Sequence, residues 1–257
     1  MVVETVCGFH VVEALLNRAP QRVLAVYLDK QRDDARARAL RGLAARVGVS
    51  VHACGAETIE QRVAGERHQG VMAEVRPAPL RDEHDLSALI DDRERPVLIL
   101  VLDGVQDPHN LGACLRTAEA AGADAVIVPR DRACAMTPAV RKVASGAADL
   151  MPVYRVVNLA RCLERLKSAG VWVVGAAEGA PQSVFDTDLT GSLALVLGGE
   201  QSGLRRLTRG SCDTLAHIPT AGANTSLNVS VASGVCLFEA LRQRHNAVST
   251  AARREPG

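Results

Sequence analysis

At 257 residues the chain is long enough for two modest domains, and its 30 Lys and Arg against 29 Asp and Glu leave a net charge of +1. That balance argues against a nucleic-acid or membrane partner recognised through an overall field, and aromatic residues at 2% argue against a base-stacking platform of the RRM kind. Seven cysteines never fall into CxxC and seven histidines never into HxxxH, which predicts reduced thiols in a cytoplasmic protein and no structural metal.

The opening MVVETVCGFH has no basic n-region, and the longest strongly apolar run, VLILVL at 97–102, is too short for a bilayer. Neither a signal peptide nor a transmembrane helix is expected. In the N-terminal part, taken as 1–76, the segments RVLAVYL (22–28), VSVHA (49–53) and GVMAEV (70–75) read as short strands, with helical patterns at 9–18 and 32–47. The result is a small α/β unit. Its 32–47 helix carries Arg32, Arg36, Arg38, Arg41 and Arg46 opposite an apolar stripe of Leu40, Leu43, Ala44 and Val47. A solvated charged face is favoured there over an RNA-phosphate surface.

RPAPLRDEHDL (76–86) combines two prolines with mixed charge, and 77–95 is read as an extended linker. From 96 to 245, buried strands alternate with helices. In order these are 97–102, helix 111–122, strand 125–128, helix 138–147, strand 153–156, helix 158–169, and strands 171–176, 193–198 and 214–219, with a last helix over 227–244. Continuous Val/Leu/Ile strands covered by helices imply a parallel sheet, whose ligands lie beyond the carboxyl ends of the strands. The tail, 246–257, is expected to be disordered.

Three strand ends stand out. In DGVQDPHNLGACLRTAEAAG (103–122) a buried strand ends at Asp103, Asn110 stands at the cap position of the next helix, and Arg116 follows. In LVLGGEQSGLRRL (195–207) the Gly198-Gly199 pair lets backbone approach a ligand closely, with Glu200 beside it; the spacing matches neither a dinucleotide fingerprint nor a P-loop. In GANTSLNVSVASG (222–234) Ser226 can cap a helix that is apolar nearly all round and is therefore expected to be buried. Burying Ser226, Asn228, Ser230 and Ser233 at its mouth without partners would cost about 1–3 kcal/mol each, so something polar should meet them.

These three stretches, in order and in separation, resemble the motifs of the SpoU (TrmH-type) branch of the SPOUT RNA ribose methyltransferases. GFHVVEALL (8–16), HQGVMAEV (68–75), VRKVASGAAD (140–149) and NLARCLERL (158–166) further resemble its RlmB-type subgroup. The resemblance implies an α/β C-terminal domain with a parallel sheet and a deep trefoil knot, preceded by a ribosomal-protein-like RNA-binding domain. It implies S-adenosylmethionine, bent and held by backbone around Gly198, Ile218 and Leu227, and a homodimer formed through the knotted domain. Asn110, Arg116, Glu200, Ser226 and Asn228 match the family's functional positions. The implied reaction is methylation of a guanosine 2′-hydroxyl in the P loop of 23S ribosomal RNA, without metal. Family proposals make Arg116 the base, yet a guanidinium is a fixed cation, better suited to an RNA phosphate or a developing alkoxide, with Asn110 and Glu200 orienting it. Under the same resemblance the arginines of 32–41 become candidates for phosphate contacts. Methylation of a tRNA ribose, and a non-catalytic RNA-binding role in ribosome assembly, are the alternatives. Thr220, where methionine is usual, and Gly199, where alanine is frequent, are this chain's departures.

Overall fold

The structure is a computed structural model that describes residues 3–63, 65, 68–79, 81–91, 95–200, 202–222 and 225–252, with backbone alone at 248 and 250–252. The chain divides after Pro79 into two compact units.

The first unit runs β1 (Glu4–Cys7), α1 (Phe9–Arg18), β2 (Val23–Asp29), α2 (Ala35–Arg46), β3 (Val51–Cys54), α3 (Ala56–Val63) and β4 (Val71–Val75). Its sheet has the order β1-β4-β2-β3, with β4 antiparallel to both neighbours and β2 parallel to β3. The three strands read from the sequence are present. The strand β1 and the helix α3 are additional to that reading, because runs of four and eight residues are too short for a clear period. Helix α2 starts at Ala35 rather than 32, since the Asp34 side chain accepts from the backbone N–H groups of Arg36 and Ala37 and caps it.

The second unit contains α4 (Glu83–Asp91), β5 (Leu98–Asp103), α5 (Pro108–Ala120), β6 (Ala125–Pro129), α6 (Pro138–Ala144), α7 (Ala147–Leu150), β7 (Val153–Val156), α8 (Leu159–Ser168), β8 (Trp172–Ala176), β9 (Gln182–Ser183), β10 (Leu193–Gly198), α9 (Arg206–Ser211), β11 (Thr214–His217) and α10 (Val229–Ala252). Seven strands form one sheet in the order β7-β6-β5-β10-β8-β11-β9, and every pairing is parallel. Side-chain alternation splits the core into two layers. Leu98, Leu100 and Leu102 of β5 with Leu193, Leu195 and Leu197 of β10 meet α5, α6, α7 and α10. Ile99, Val101, Ala194 and Val196 meet α4 and α8 on the opposite face.

The fold departs from the sequence expectations at several places. The stretch 77–95 is not simply extended: Leu86 and Ile90 of α4, one turn apart, are buried in the second layer, and the flanking charges mask that pair in the sequence. The 138–147 helix is broken, because Ser145 (φ 50°) and Gly146 (φ 85°) adopt left-handed backbone. The last helix begins at 229 and continues to 252, so the tail is helical over 246–252; residues 253–257 lie outside the described set. Arg244 pins that helix by donating to the carbonyls of Val97 (2.8 Å) and Gly191 (2.6 Å). Nor is α10 buried all round, for Val231 is 52% and Phe238 48% exposed.

All seven cysteines are free thiols. Burial pushes those of Cys162 and Cys236 up to about 12, and those of Cys114 and Cys212 up to about 11, so all four stay protonated at neutral pH. No helix among the described residues is long and apolar enough to cross a membrane.

Candidate functional site

A cavity of about 640 Å³ opens at the carboxyl ends of β8, β10 and β11, the position that parallel sheets reserve for ligands. Of the residues singled out from the sequence, Gly198, Glu200, Ile218, Ser226 and Leu227 line it. The reason for the glycines differs from the one expected. A Cβ on Gly198 would lie 1.9 Å from the Gly203 carbonyl carbon and 2.3 Å from the Leu204 nitrogen. The chain's own backbone, folding back across the strand end, therefore requires glycine before any ligand does. At Gly199 a Cβ would meet the Gly104 carbonyl oxygen at 2.5 Å.

The returning loop is fixed to the end of β5. Gly199 N–H donates to the Asp103 carbonyl (3.0 Å) and Gly203 N–H to the Gly199 carbonyl (3.0 Å). Asp103, 1% exposed, accepts from Arg205 twice, from Nε at 2.5 Å and from the backbone nitrogen at 2.9 Å. A carboxylate so buried is tolerable only with such pairing, and removing Arg205 would leave an uncompensated charge. The Asp103–Arg205 pair thus holds the Glu200 segment in place.

Asn110 is not the helix cap. Asp107 is, its side chain accepting from His109 N–H (2.9 Å), with Pro108 opening the first turn. That frees the Asn110 amide to act between elements: Nδ2 donates to Glu200 Oε1, and Oδ1 accepts from Asn228 Nδ2 at 3.0 Å. Asn228, rather than Ser226, caps α10. Its Oδ1 accepts from Ser230 N–H (2.9 Å) and Ser230 Oγ (2.6 Å), and its carbonyl accepts from Ala232 N–H (2.9 Å). One hydrogen-bonded relay therefore joins the segments that follow β5, β10 and β11. The mouth of α10 is more open than expected, since Ser226 and Asn228 are exposed. Ser233 is fully buried and already satisfied by the Ser230 carbonyl at 2.8 Å.

Arg116 stands apart from this relay. It is exposed on α5, and six residues from Asn110 place it roughly 120° around the helix. It does not line the cavity, and its side chain makes no hydrogen bond or ion pair within the described residues. The expected bonds from Asn110 and Glu200 to Arg116 are not formed.

Among the polar cavity residues, Glu178, Ser202, Arg209, His217 and Thr225 escape the sequence reading. The Glu178 carboxylate accepts a hydrogen bond from Thr225 Oγ1. The sequence does carry a signal for Glu178, because AAEG follows β8 as GGEQ follows β10, and the strand-end rule applies to both. In the first unit, the arginines of 32–41 are paired with carboxylates. Arg32 pairs with Asp34 (2.6 Å), Arg36 with Glu13 (3.2 Å), and Arg38 and Arg41 with Asp33 (3.6 and 3.3 Å). That face is partly neutralised, as a solvated charged surface would be.

Comparison with known proteins gives concordant matches. The model of the SpoU rRNA Methylase family matches residues 97–238, and that for RNA 2′-O ribose methyltransferase substrate binding matches 5–80. A Pasteurella multocida protein named 23S rRNA (guanosine-2′-O-)-methyltransferase RlmB is 52% identical over 242 residues, 94% of this chain and 98% of the relative. Its namesake from Pseudomonas putida is 53% identical over 241 residues, 94% and 97% of the two chains. Among solved structures, the SpoU methyltransferase AviRb from Streptomyces viridochromogenes in complex with the cofactor AdoMet superposes with a TM-score of 0.68. It is 27% identical, and the match covers 95% of this chain and 91% of that one.

Proposed function

The chain belongs to the SpoU rRNA methylase family, and from that premise we propose that it methylates the 2′-hydroxyl of a guanosine in 23S ribosomal RNA, using S-adenosylmethionine. The P loop is the position implied by the resemblance to the RlmB type. The observation that carries this reading is the Asn228–Asn110–Glu200 relay at the rim of the cavity. The cavity suits the cofactor. Its volume lies within the range of small-molecule sites, Leu197, Ile218 and Leu227 offer apolar walls to a purine, and Glu178 and Glu200 place carboxylates near a cationic ligand.

Bound there, S-adenosylmethionine supplies a methyl group on a sulfonium, an electrophile that needs no acid to leave. Catalysis then rests on holding the ribose oxygen in line, and on charge near that oxygen as its proton departs. The relay orients the Asn110 and Asn228 amides toward the ribose. Arg116, lying outside the cofactor cavity and unpaired within the described residues, supplies a fixed positive charge for an RNA phosphate or the developing alkoxide. The trefoil knot belongs to the same reading, in the segment that carries the second and third motifs. Ser226 shapes the wall next to Leu227.

Two copies of the chain associate through α10. Val231, Phe238 and Leu241 of α10 are exposed at spacings of seven and three residues, a stripe that a second copy would cover. Sedimentation at micromolar concentration should show a dimer for the wild type and a monomer for Phe238→Asp; a monomeric wild type would refute the association.

The first unit selects the RNA, in keeping with its match to a substrate-binding model. Labelled cofactor supplied with undermodified 23S rRNA or with tRNA tests the whole reading. Label should enter one guanosine 2′-oxygen of 23S rRNA, and at least tenfold more slowly when residues 1–79 are removed. Transfer to tRNA would reassign the substrate, and transfer to neither would favour an assembly role.

A further inference from the structure

We infer that His217 is a further cofactor-binding residue, its Nδ1 hydrogen-bonding to the adenosine half of S-adenosylmethionine; the inference rests on the cavity being the cofactor site. His217 ends β11, opposite Ser183 of β9, and is one of the residues that line the cavity. Alternation along the strand decides which way it points. Ala216 packs into the layer built with α5 and α10, whereas Leu215 and Cys212 both lie against Gly175 on the other face. His217 shares the face of Leu215.

On that face its Nδ1 is shut off from solvent and has no hydrogen-bond partner within the described residues. Buried polar side-chain atoms nearly always find a partner, and one left bare calls for an explanation. A strand-end position that needed only bulk would be filled equally well by leucine or phenylalanine, without the cost of stripping water from a ring nitrogen. The cavity is the side from which a partner can arrive, since β8 and β9 flank the strand. On that face the cavity residue Leu204, packed with Leu215 and Cys212 against Gly175, is apolar and suits the flat purine rather than the charged amino-acid end of the ligand. Adenine and ribose between them offer donors and acceptors, and a neutral imidazole can supply either at Nδ1, according to its tautomer.

The test compares His217→Phe, which keeps a ring without nitrogen, with His217→Asn, which keeps a polar atom at the Nδ1 position. Calorimetry is performed with S-adenosylmethionine and with 5′-methylthioadenosine, which lacks the amino-acid end. The phenylalanine variant should bind both ligands about tenfold more weakly, the size of effect expected for one lost hydrogen bond. The asparagine variant should recover most of that loss. In methylation assays the KM for the cofactor should rise in His217→Phe with kcat little changed. The apo form of that variant should melt no lower than the wild type, because a bare polar atom has been removed. Undiminished affinity of His217→Phe for both ligands would overturn the inference, as would a loss confined to S-adenosylmethionine or one that asparagine fails to rescue. A wild-type protein that binds neither ligand would instead sink the cavity reading itself.

Discussion

Replacing Gly198 with alanine is expected to lower the thermal midpoint and abolish cofactor binding together. The added methyl would sit 1.9 Å from the Gly203 carbonyl carbon and 2.3 Å from the Leu204 nitrogen, and neither atom can rotate away as a side chain would. Overpacking a core by one methyl costs about 1–3 kcal/mol, and a collision of backbone with backbone lies at the top of that range or above it. In a unit of this size each kcal/mol moves the midpoint by roughly 2–4 °C, so a fall of about 6–12 °C is anticipated. The loop that must shift is the one tied to Asp103 through Arg205 and carrying Glu200, so the cavity wall moves with it. Calorimetric scanning of the apo protein and titration with S-adenosylmethionine read the two effects. Lost binding with an unchanged midpoint would mean that the ligand, and not residues 203–204, is what the glycine accommodates.

Arg116→Ala should leave cofactor affinity untouched and reduce the single-turnover methylation rate about 10²–10³-fold, the usual loss for one group that stabilises developing charge. The separation of effects follows from position, since Arg116 does not line the cavity. Lysine restores charge without the planar fork, so Arg116→Lys should recover part of the rate. Rates recorded against pH decide the base role: an unchanged profile in Arg116→Lys excludes it, whereas loss of a limb of the profile would support it. Weaker cofactor binding in Arg116→Ala would sink the assignment of Arg116 to RNA and the developing alkoxide.

The parallel sheet is legible in the sequence because its strands are short continuous apolar runs bounded by turn residues, as in VLILVL and LALVLG, and burial on both faces leaves no polar alternation to confuse them. Helix α4 is not, since Leu86, Ala88, Leu89 and Ile90 mixed among five polar residues in a nine-residue helix show no clear period until a sheet lies beneath them. At the site, composition points to three strand ends, and the structure joins them through Asn110, Glu200 and Asn228. The caps differ from expectation. Asp107 and Asn228 cap where Asn110 and Ser226 were expected, because several acceptors stand within three residues and only tertiary partners decide between them. Glu178 is signalled only by AAEG closing one strand as GGEQ closes another, and His217 lacks any local peculiarity, so its place comes from which strands end side by side.

The sheet order has a bearing on biosynthesis. The central strand β10 lies between β5 and β8 yet is made after both, so during translation each of those strands presents a bare apolar edge until residue 198 has left the ribosome. Such edges are the ones that mispair with other chains. Every described residue that lines the cavity falls between 176 and 232, in the last third of the chain. On the proposed reading of that cavity, a nascent chain has no place for S-adenosylmethionine until it is nearly complete, and the cofactor does not guide the earlier steps of its folding.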